Sequence, residues 1–390
     1  MTPGARVAAA IQILDLILAG QQAEPALIAW ARASRFAGSG DRAAVRDLVF
    51  QALRRRDSLA ALGGALSGRG LMLGLLRAEG ADPDTIFSGT GHAPPPLTEV
   101  ERTAGAQIAQ AEALPDLPDW LWPLWQASLG TRALPLAHAM RDRAPLWLRV
   151  NPRRATPAQA IAALTDAGID AIPDRHLPTA LRVSSGERRV HGSEPYRAGW
   201  VELQDLSPQI ACSLLAPRPG QRVLDYCAGG GGKSLALLAA TDLSVTAHDA
   251  APARMSDLPE RAARAGVSVT LSPPAPLGQN YHLVIADVPC SGSGTWRRTP
   301  DAKWRLTPER LAELCALQAE ILDDCADLVG PGGRIAYMTC SLLDAENGDQ
   351  IDGVVARNQR FTEIERRLLT PGDASDGFFV SILTHSAGLA

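Results

Sequence analysis

The 390 residues are 46% apolar and 21% charged, values of an ordinary globular chain with room for two or three buried cores. The start carries no basic, apolar leader pattern and no run of 18 apolar residues occurs, so neither a secretory signal nor a membrane span is expected. Six cysteines without a Cys-x-x-Cys pair speak against zinc and disulfides and for a reducing, cytoplasmic setting with no metal.

The net charge of −4 conceals an asymmetry, because between Arg132 and Arg197 eleven Arg stand against six Asp or Glu. Such a stripe on an acidic chain fits contact with phosphate, and Arg149, Arg153, Arg154, Arg188 and Arg189 are its candidate phosphate contacts. A solvated face in an Arg-using chain explains the stripe equally well. Lysine occurs only at Lys233 and Lys303, which points to positions where a compact ammonium is needed.

In chain order, Val7, Ile11, Leu14 and Leu18 predict a helix stopped by Gly20. A second helix is expected from Asp41 as N-cap through Leu53, with Arg54-Arg55-Arg56 at its carboxyl end. After the break at Pro94-Pro95-Pro96, one helical stretch is expected over 98–113 and a short helix around Trp120, Trp122 and Trp125. No strand-like alternation precedes residue 145, so residues 1–140 read as an all-α domain. Leu146–Val150 and Ala180–Val183 read as strands around a helix at 157–167, a small basic α/β unit over 141–200. From 201 to 390, apolar runs ending at Asp225, Asp249, Asp287 and Cys340 alternate with helices at 235–240, 252–265 and 308–328. That rhythm predicts a parallel, doubly wound Rossmann-like sheet. The whole is expected to be a multidomain α/β protein.

Ligands of such sheets bind beyond the carboxyl ends of the strands, and every chemically unusual residue lies there. Cys227-Ala228-Gly229-Gly230-Gly231-Gly232-Lys233 removes four side chains where a strand turns into a helix, so backbone can approach a ligand. A Walker A loop is excluded by Cys227 at its leading position, and a dinucleotide fingerprint fails at Ser234. S-adenosylmethionine, which carries no pyrophosphate, tolerates looser glycine patterns. Asp249 suits a ribose hydroxyl, with helix capping as the plainer alternative.

A cysteine nucleophile works as its thiolate, and most cysteines are inert small hydrophobes. Cys212, Cys315 and Cys325 belong to the inert group, whereas Cys290 and Cys340 each precede a polar loop at a strand end. His248 and His282 read as structural, and no Gly-x-Ser-x-Gly elbow surrounds Ser291 or Ser293.

Asp287-Val288-Pro289-Cys290, continuing to Lys303-Trp304, resembles the Asp-x-Pro-Cys motif of RNA cytosine-5 methyltransferases. Thr339-Cys340-Ser341 with Glu346-Asn347 resembles that family's Thr-Cys-Ser motif. The Asp225–Lys233 turn is similar to its cofactor motif, and Asp376-Gly377-Phe378-Phe379 to its closing strand. Leu148-Arg149-Val150-Asn151 and Gln204-Asp205 resemble the bacterial RsmB (Sun) branch, which carries a NusB-like helical RNA-binding domain in front. The chain departs from the family pattern at Gly230 and Gly231, where Pro is usual, and at Ser272-Pro273-Pro274, where an acidic residue near the adenine is usual.

The resemblance implies that Cys340 adds to C6 of a cytosine and that Asp287 hydrogen-bonds the base and lines the cofactor site. It implies that Cys290 assists release, and that residues 227–233 with Asp249 hold S-adenosylmethionine while Lys233 fixes the turn or a carboxylate. It further implies a monomer acting on looped or single-stranded RNA, ribosomal small-subunit RNA first and tRNA second. Competing readings are a nicotinamide oxidoreductase, which needs neither thiol, and a non-catalytic RNA-binding or assembly factor.

Overall fold

The computed structural model describes residues 1–272, 277–372 and 375–386. Of the Ser272-Pro273-Pro274 departure, Pro273 and Pro274 lie outside the described residues. The chain divides into two compact units, one of Met1–Arg143 with Trp296–Leu306 and one of Ala144–Thr295 with the chain from Thr307 onward.

The first unit is all-helical, as its sequence pattern predicts. Helices Pro3–Leu18, Ala23–Ala33, Ser39–Arg54, Arg56–Gly63 and Gly68–Ala78 enclose Ile13, Leu14, Val45, Val49, Leu53, Leu59, Leu71 and Met72. The third helix starts earlier than expected. Gly38 is its N-cap, and Asp41, in the first turn, accepts from Gly38 N–H as well as from the chain's amino terminus and Arg6. Helices Arg56–Gly63 and Gly68–Ala78 turn through 88° and touch through glycine: a Cβ on Gly63 would lie 1.8 Å from the Gly70 carbonyl oxygen. No single described helix is long and apolar enough to cross a membrane. The single helix expected over 98–113 is two short ones, Glu99–Thr103 and Ile108–Glu112, separated at Gly105 with φ +112°.

Residues 296–306, expected with the cofactor domain, close this helical unit. Trp296 stacks on Trp125 at 6.0 Å, and the Trp304 indole donates to the Leu53 carbonyl at 2.7 Å. The Lys303 ammonium donates to the carbonyls of Arg54 and Asp116 at 2.9 and 2.6 Å, a socket that a compact cation fits and a planar guanidinium does not.

The second unit holds two sheets. Strands β1 (Leu146–Val150), β2 (Asp170–Pro173), β3 (Ala180–Ser185) and β4 (Val201–Leu203) form an antiparallel sheet in the order β2-β3-β1-β4, with helix Pro157–Asp166 between β1 and β2. The larger sheet comprises β5 (Arg222–Asp225), β6 (Ser244–Ala247), β7 (Thr270–Leu271), β8 (Tyr281–Asp287), β9 (Val329–Thr339), β10 (Phe361–Leu369) and β11 (Phe378–His385). Its order is β10-β11-β9-β8-β5-β6-β7.

Strands β5 to β9 run parallel, as the alternation predicts. Of the two strands after Cys340, β10 shares this direction and β11 opposes it. β11 inserts antiparallel between β9 and β10, so the sheet is mixed. Near-continuous burial along β8 and β9, from Leu283 to Ala286 and from Ile335 to Thr339, explains why these strands read as apolar runs without alternation. Parallel pairing aligns Asp287 with Met338, so the segments leaving β8 and β9 emerge side by side at one edge.

Candidate active site

The glycine turn follows β5. Gly229 and Gly231 have φ of +50° and +73°, and a Cβ on Gly231 would lie 2.2 Å from Leu258 Cδ1. Only glycine fits there without displacing that leucine. The turn is held by its surroundings: Ala228 N–H donates to the His248 carbonyl at 2.8 Å, and the Arg261 guanidinium donates to the Gly230 carbonyl. Burial pushes the Cys227 thiol up to about 12, so it lines the turn as a neutral group.

Asp249, just beyond β6, is buried and busy. It accepts from Gly229 N–H and Ala251 N–H, each at 2.9 Å, and pairs with Arg254 at 3.0 Å. It therefore ties the glycine turn to the next strand. Asp225 is 1% exposed; Ser234 Oγ donates to its Oδ2 at 2.7 Å, while Oδ1 has no protein partner. Burial pushes its carboxyl up to about 6. An orphaned buried acceptor beside a side-chain-free turn is what a cationic nucleoside ligand would complete.

Lys233, on the first turn of helix Gly232–Ala240, pairs with Asp287 at the end of β8. Burial alone would lower its pKa, but the Asp287 charge and hydrogen bond outweigh this and raise it.

The sulfurs of Cys290 and Cys340 lie 3.3 Å apart, both half-buried. Their acidities diverge. Hydrogen bonding from Cys290 holds the Cys340 thiol below its ordinary value, aided by Lys233 and Thr295 against burial and Asp287. Cys290 is raised by its hydrogen bond with Cys340, by burial, and by the charges of Cys340 and then Glu346. Cys340 is thus the readier thiolate and Cys290 the retained thiol.

The loops carrying them interlock. Ser293 Oγ lies 2.9 Å from Ser341 Oγ and accepts from Leu342 N–H at 2.8 Å. Gly294 N–H donates to the Cys340 carbonyl at 2.9 Å, and a Cβ there would lie 2.2 Å from the Gly377 carbonyl oxygen. Asn347 accepts from Thr339 Oγ1 at 2.5 Å and donates to the Ser341 carbonyl at 3.0 Å. Sequence reasoning singled out the cysteines but assigned no role to Asp225, Ser291, Ser293, Glu346 or Asn347. The one sequence signal for the last two was their place in the Thr-Cys-Ser stretch.

Cys212 and Cys325 are buried hydrophobes, and Cys315 donates to the Ala345 carbonyl at 3.4 Å. His248 bonds the Tyr226 carbonyl at 2.8 Å and His282 accepts from Arg222 N–H at 3.1 Å, both structural contacts.

The arginine stripe needs correction. Arg149 is 8% exposed, and its guanidinium donates to Gln204 and, at 2.9 Å, to the Gly232 carbonyl. Its Nη1 is spent inside the fold, where it secures the start of the cofactor helix, and its buried Nε has no partner among the described residues. Arg153 is largely committed too, to the Leu238 carbonyl and Asp242, each at 2.6 Å. Arg154, Arg188 and Arg189 are exposed.

This strand order, with one antiparallel strand beside β9 and all reactive groups at the carboxyl edge, defines a Rossmann-like methyltransferase. Two family models match, one described as 16S rRNA methyltransferase RsmB/F over residues 212–384 and one as an RsmF/B-like ferredoxin-like domain over 117–190. The chain belongs to this RsmB/F family, whose members depend on S-adenosylmethionine.

Ribosomal RNA small subunit methyltransferase B of Citrobacter koseri is 37% identical over 254 residues, 63% of this chain and 59% of that one. The Salmonella agona protein of the same name is 35% identical over 282 residues, 68% and 66% of the two chains. The matched stretch thus spans 59% and 66% of these relatives' length. Among solved structures, PH0851 matches with a TM-score of 0.76 at 22% identity, over 98% of this chain and 99% of that one. NSun6 from Pyrococcus horikoshii, solved with SFG, matches at 0.62 and 15%, over 69% and 98%. At these identities the likeness is one of fold.

Proposed function

We propose that the protein transfers a methyl group to C5 of a cytosine in small-subunit ribosomal RNA through a covalent adduct on Cys340. The observation that carries this reading is the pair of sulfurs 3.3 Å apart at the ends of adjacent parallel strands, beside Asp287, Lys233 and the glycine turn. Cytosine C5 is too weak a nucleophile unaided, and a thiolate added at C6 makes it enamine-like. S-adenosylmethionine, when bound, supplies the electrophilic methyl group; residues 227–233, Asp249 and Asp287 would hold it.

Cys340 forms the bond to C6, and Asp287 accepts a hydrogen bond from the cytosine edge while Lys233 balances its charge. Once C5 carries the methyl group, its proton passes to water, the C5–H electrons re-form the C5–C6 double bond, and the Cys340–C6 bond breaks to restore the thiolate. Cys290, the retained thiol, assists that release. Exposed Arg154, Arg188 and Arg189 serve the RNA backbone, with the helical residues 1–140 and the small α/β unit 141–200 as its platform and 201–390 as the transferase part.

Cys340→Ala abolishes methylation of the 16S RNA while S-adenosylmethionine still binds. Cys290→Ala accumulates a protein–RNA adduct, seen as a retarded band on a denaturing gel. Full methylation by the Cys340 variant removes the adduct reading, and RNA binding by the wild type without any methylation turns the protein into an assembly factor.

A further inference from the structure

Glu346 is fully buried between the two cysteine loops. Its Oε1 accepts from Ser291 N–H at 2.7 Å and Gln318 Nε2 at 3.1 Å, and its Oε2 accepts from Ser291 Oγ and Ser341 Oγ, each at 2.5 Å. Four donors occupy the roughly four acceptor sites of a carboxylate. With no acceptor site left over, Glu346 is not placed to serve as a base or a substrate ligand. Ser291 directly follows Cys290 and Ser341 directly follows Cys340, so one carboxylate clamps both reactive residues through their next neighbours. Gln318 extends the clamp, since its amide also donates to the carbonyl of Pro289 at 2.9 Å.

We propose that Glu346 is a positioning residue that locks the two cysteine loops at a fixed separation and makes the two thiols unequal, with Cys340 the nucleophile and Cys290 the proton-holding partner. This rests on the reading of Cys340 as nucleophile. The clamp holds the two sulfurs in the hydrogen bond that is the leading cause of their asymmetry, and the Glu346 charge adds to it on the Cys290 side as Lys233 does on the Cys340 side. An amide at position 346 removes the charge, and it keeps the contacts only with its oxygen on Ser291 N–H and Gln318 and with both serine hydroxyls turned from donating to accepting.

The test compares wild type with Glu346→Gln and the milder Ser291→Ala. It reads the alkylation rates of Cys340 and Cys290 by peptide mass mapping, and kcat and KM for RNA methylation. Since the thiolate is the reactive form, Cys340 of the wild type alkylates faster than Cys290 by about tenfold or more. In Glu346→Gln that preference collapses toward parity and kcat falls by about tenfold or more, with KM for S-adenosylmethionine within about twofold. Ser291→Ala, which loses one of the four donors, moves the preference in the same direction by a smaller factor.

S-adenosylmethionine affinity by calorimetry reports whether each variant is folded. A cofactor-binding Glu346→Gln with wild-type preference and kcat overturns the proposal. If Glu346→Gln fails to bind cofactor, Ser291→Ala decides by the same criterion. A Cys340→Ala control separates the two ideas. Retained methylation there sinks the adduct reading, whereas a dead control with an unmoved alkylation preference sinks only the role of Glu346.

Discussion

Replacing Asp225 with Asn isolates the cost of burying an acid at the end of β5. The carboxyl is 1% exposed and its pKa stands at about 6, against an ordinary 3.8, with burial as the main cause. Because the folded value is raised, the folded chain holds this proton more tightly than the unfolded chain. The group's contribution to stability is therefore largest in acid and is lost as pH rises through about 6. At pH 5, one unit below the folded value and above the unfolded one, it amounts to about 1.4 kcal/mol relative to pH 8.

Asn keeps the acceptor for Ser234 but does not titrate. At pH 8 it escapes a charge-burial cost of up to about 3 kcal/mol, yet leaves amide hydrogens without an acceptor at about 1–3 kcal/mol. These terms offset, so the pH slope is the sharper readout than either value. Urea unfolding by circular dichroism at pH 5 and pH 8 should show the stability difference between variant and wild type moving by about 1.4 kcal/mol in the variant's favour at the higher pH. The same difference at both pH values would refute the buried-acid reasoning. Loss of the charge should also weaken binding of the cationic S-adenosylmethionine by about tenfold or more in calorimetry.

Lys233→Met strands the Asp287 carboxylate and removes a cation that favours the Cys340 thiolate. Partial exposure of Asp287 moderates the penalty to roughly 2–4 kcal/mol, and Lys233→Met/Asp287→Asn recovers part of it in urea unfolding. The pH profile of Cys340 alkylation shifts upward in the single variant; an unshifted profile removes Lys233 from the thiol's environment. Arg149→Met lowers the melting temperature and leaves the salt dependence of RNA binding unchanged, because its guanidinium is spent on Gln204 and Gly232. Arg154→Ala and Arg188→Ala/Arg189→Ala leave stability unchanged and reduce the salt slope by about one per lost phosphate contact. A normal slope in all of them moves the RNA to another face.

The strand ends were legible because buried parallel strands write uninterrupted apolar runs, and each ends on a residue of unlike chemistry: Asp225, Asp287 or Cys340. The distance between the thiols was not legible, since it depends on β9 pairing directly with β8, a neighbour relation that sequence order does not encode. Arg149 was misjudged for a related reason. An alternating strand would leave every second residue in water, but β1 is covered on both faces and Trp147 through Val150 are all buried. Helix Gly68–Ala78 escaped notice because Gly68, Gly70 and Gly74 meet backbone at close range, where a periodic stripe of large side chains would have advertised it.

The electrostatic order along the sheet edge ties these cases together. Asp225, Asp249 and Asp287 end or follow β5, β6 and β8, and Glu346 lies behind the cysteines, so the edge is predominantly acidic. Such an edge suits a cationic cofactor and opposes a thiolate. The opposition is answered locally, by Lys233 against Asp287 and by the hydrogen bond between the two sulfurs. It also leaves phosphate unwelcome at the reacting atoms, which explains why the exposed arginines are carried elsewhere: Arg154 on the segment after β1, and Arg188 and Arg189 on the turn after β3. On the proposed function, a flipped base would meet this acidic edge while its backbone lay over basic residues, a separation of charge that a single uniform surface could not provide.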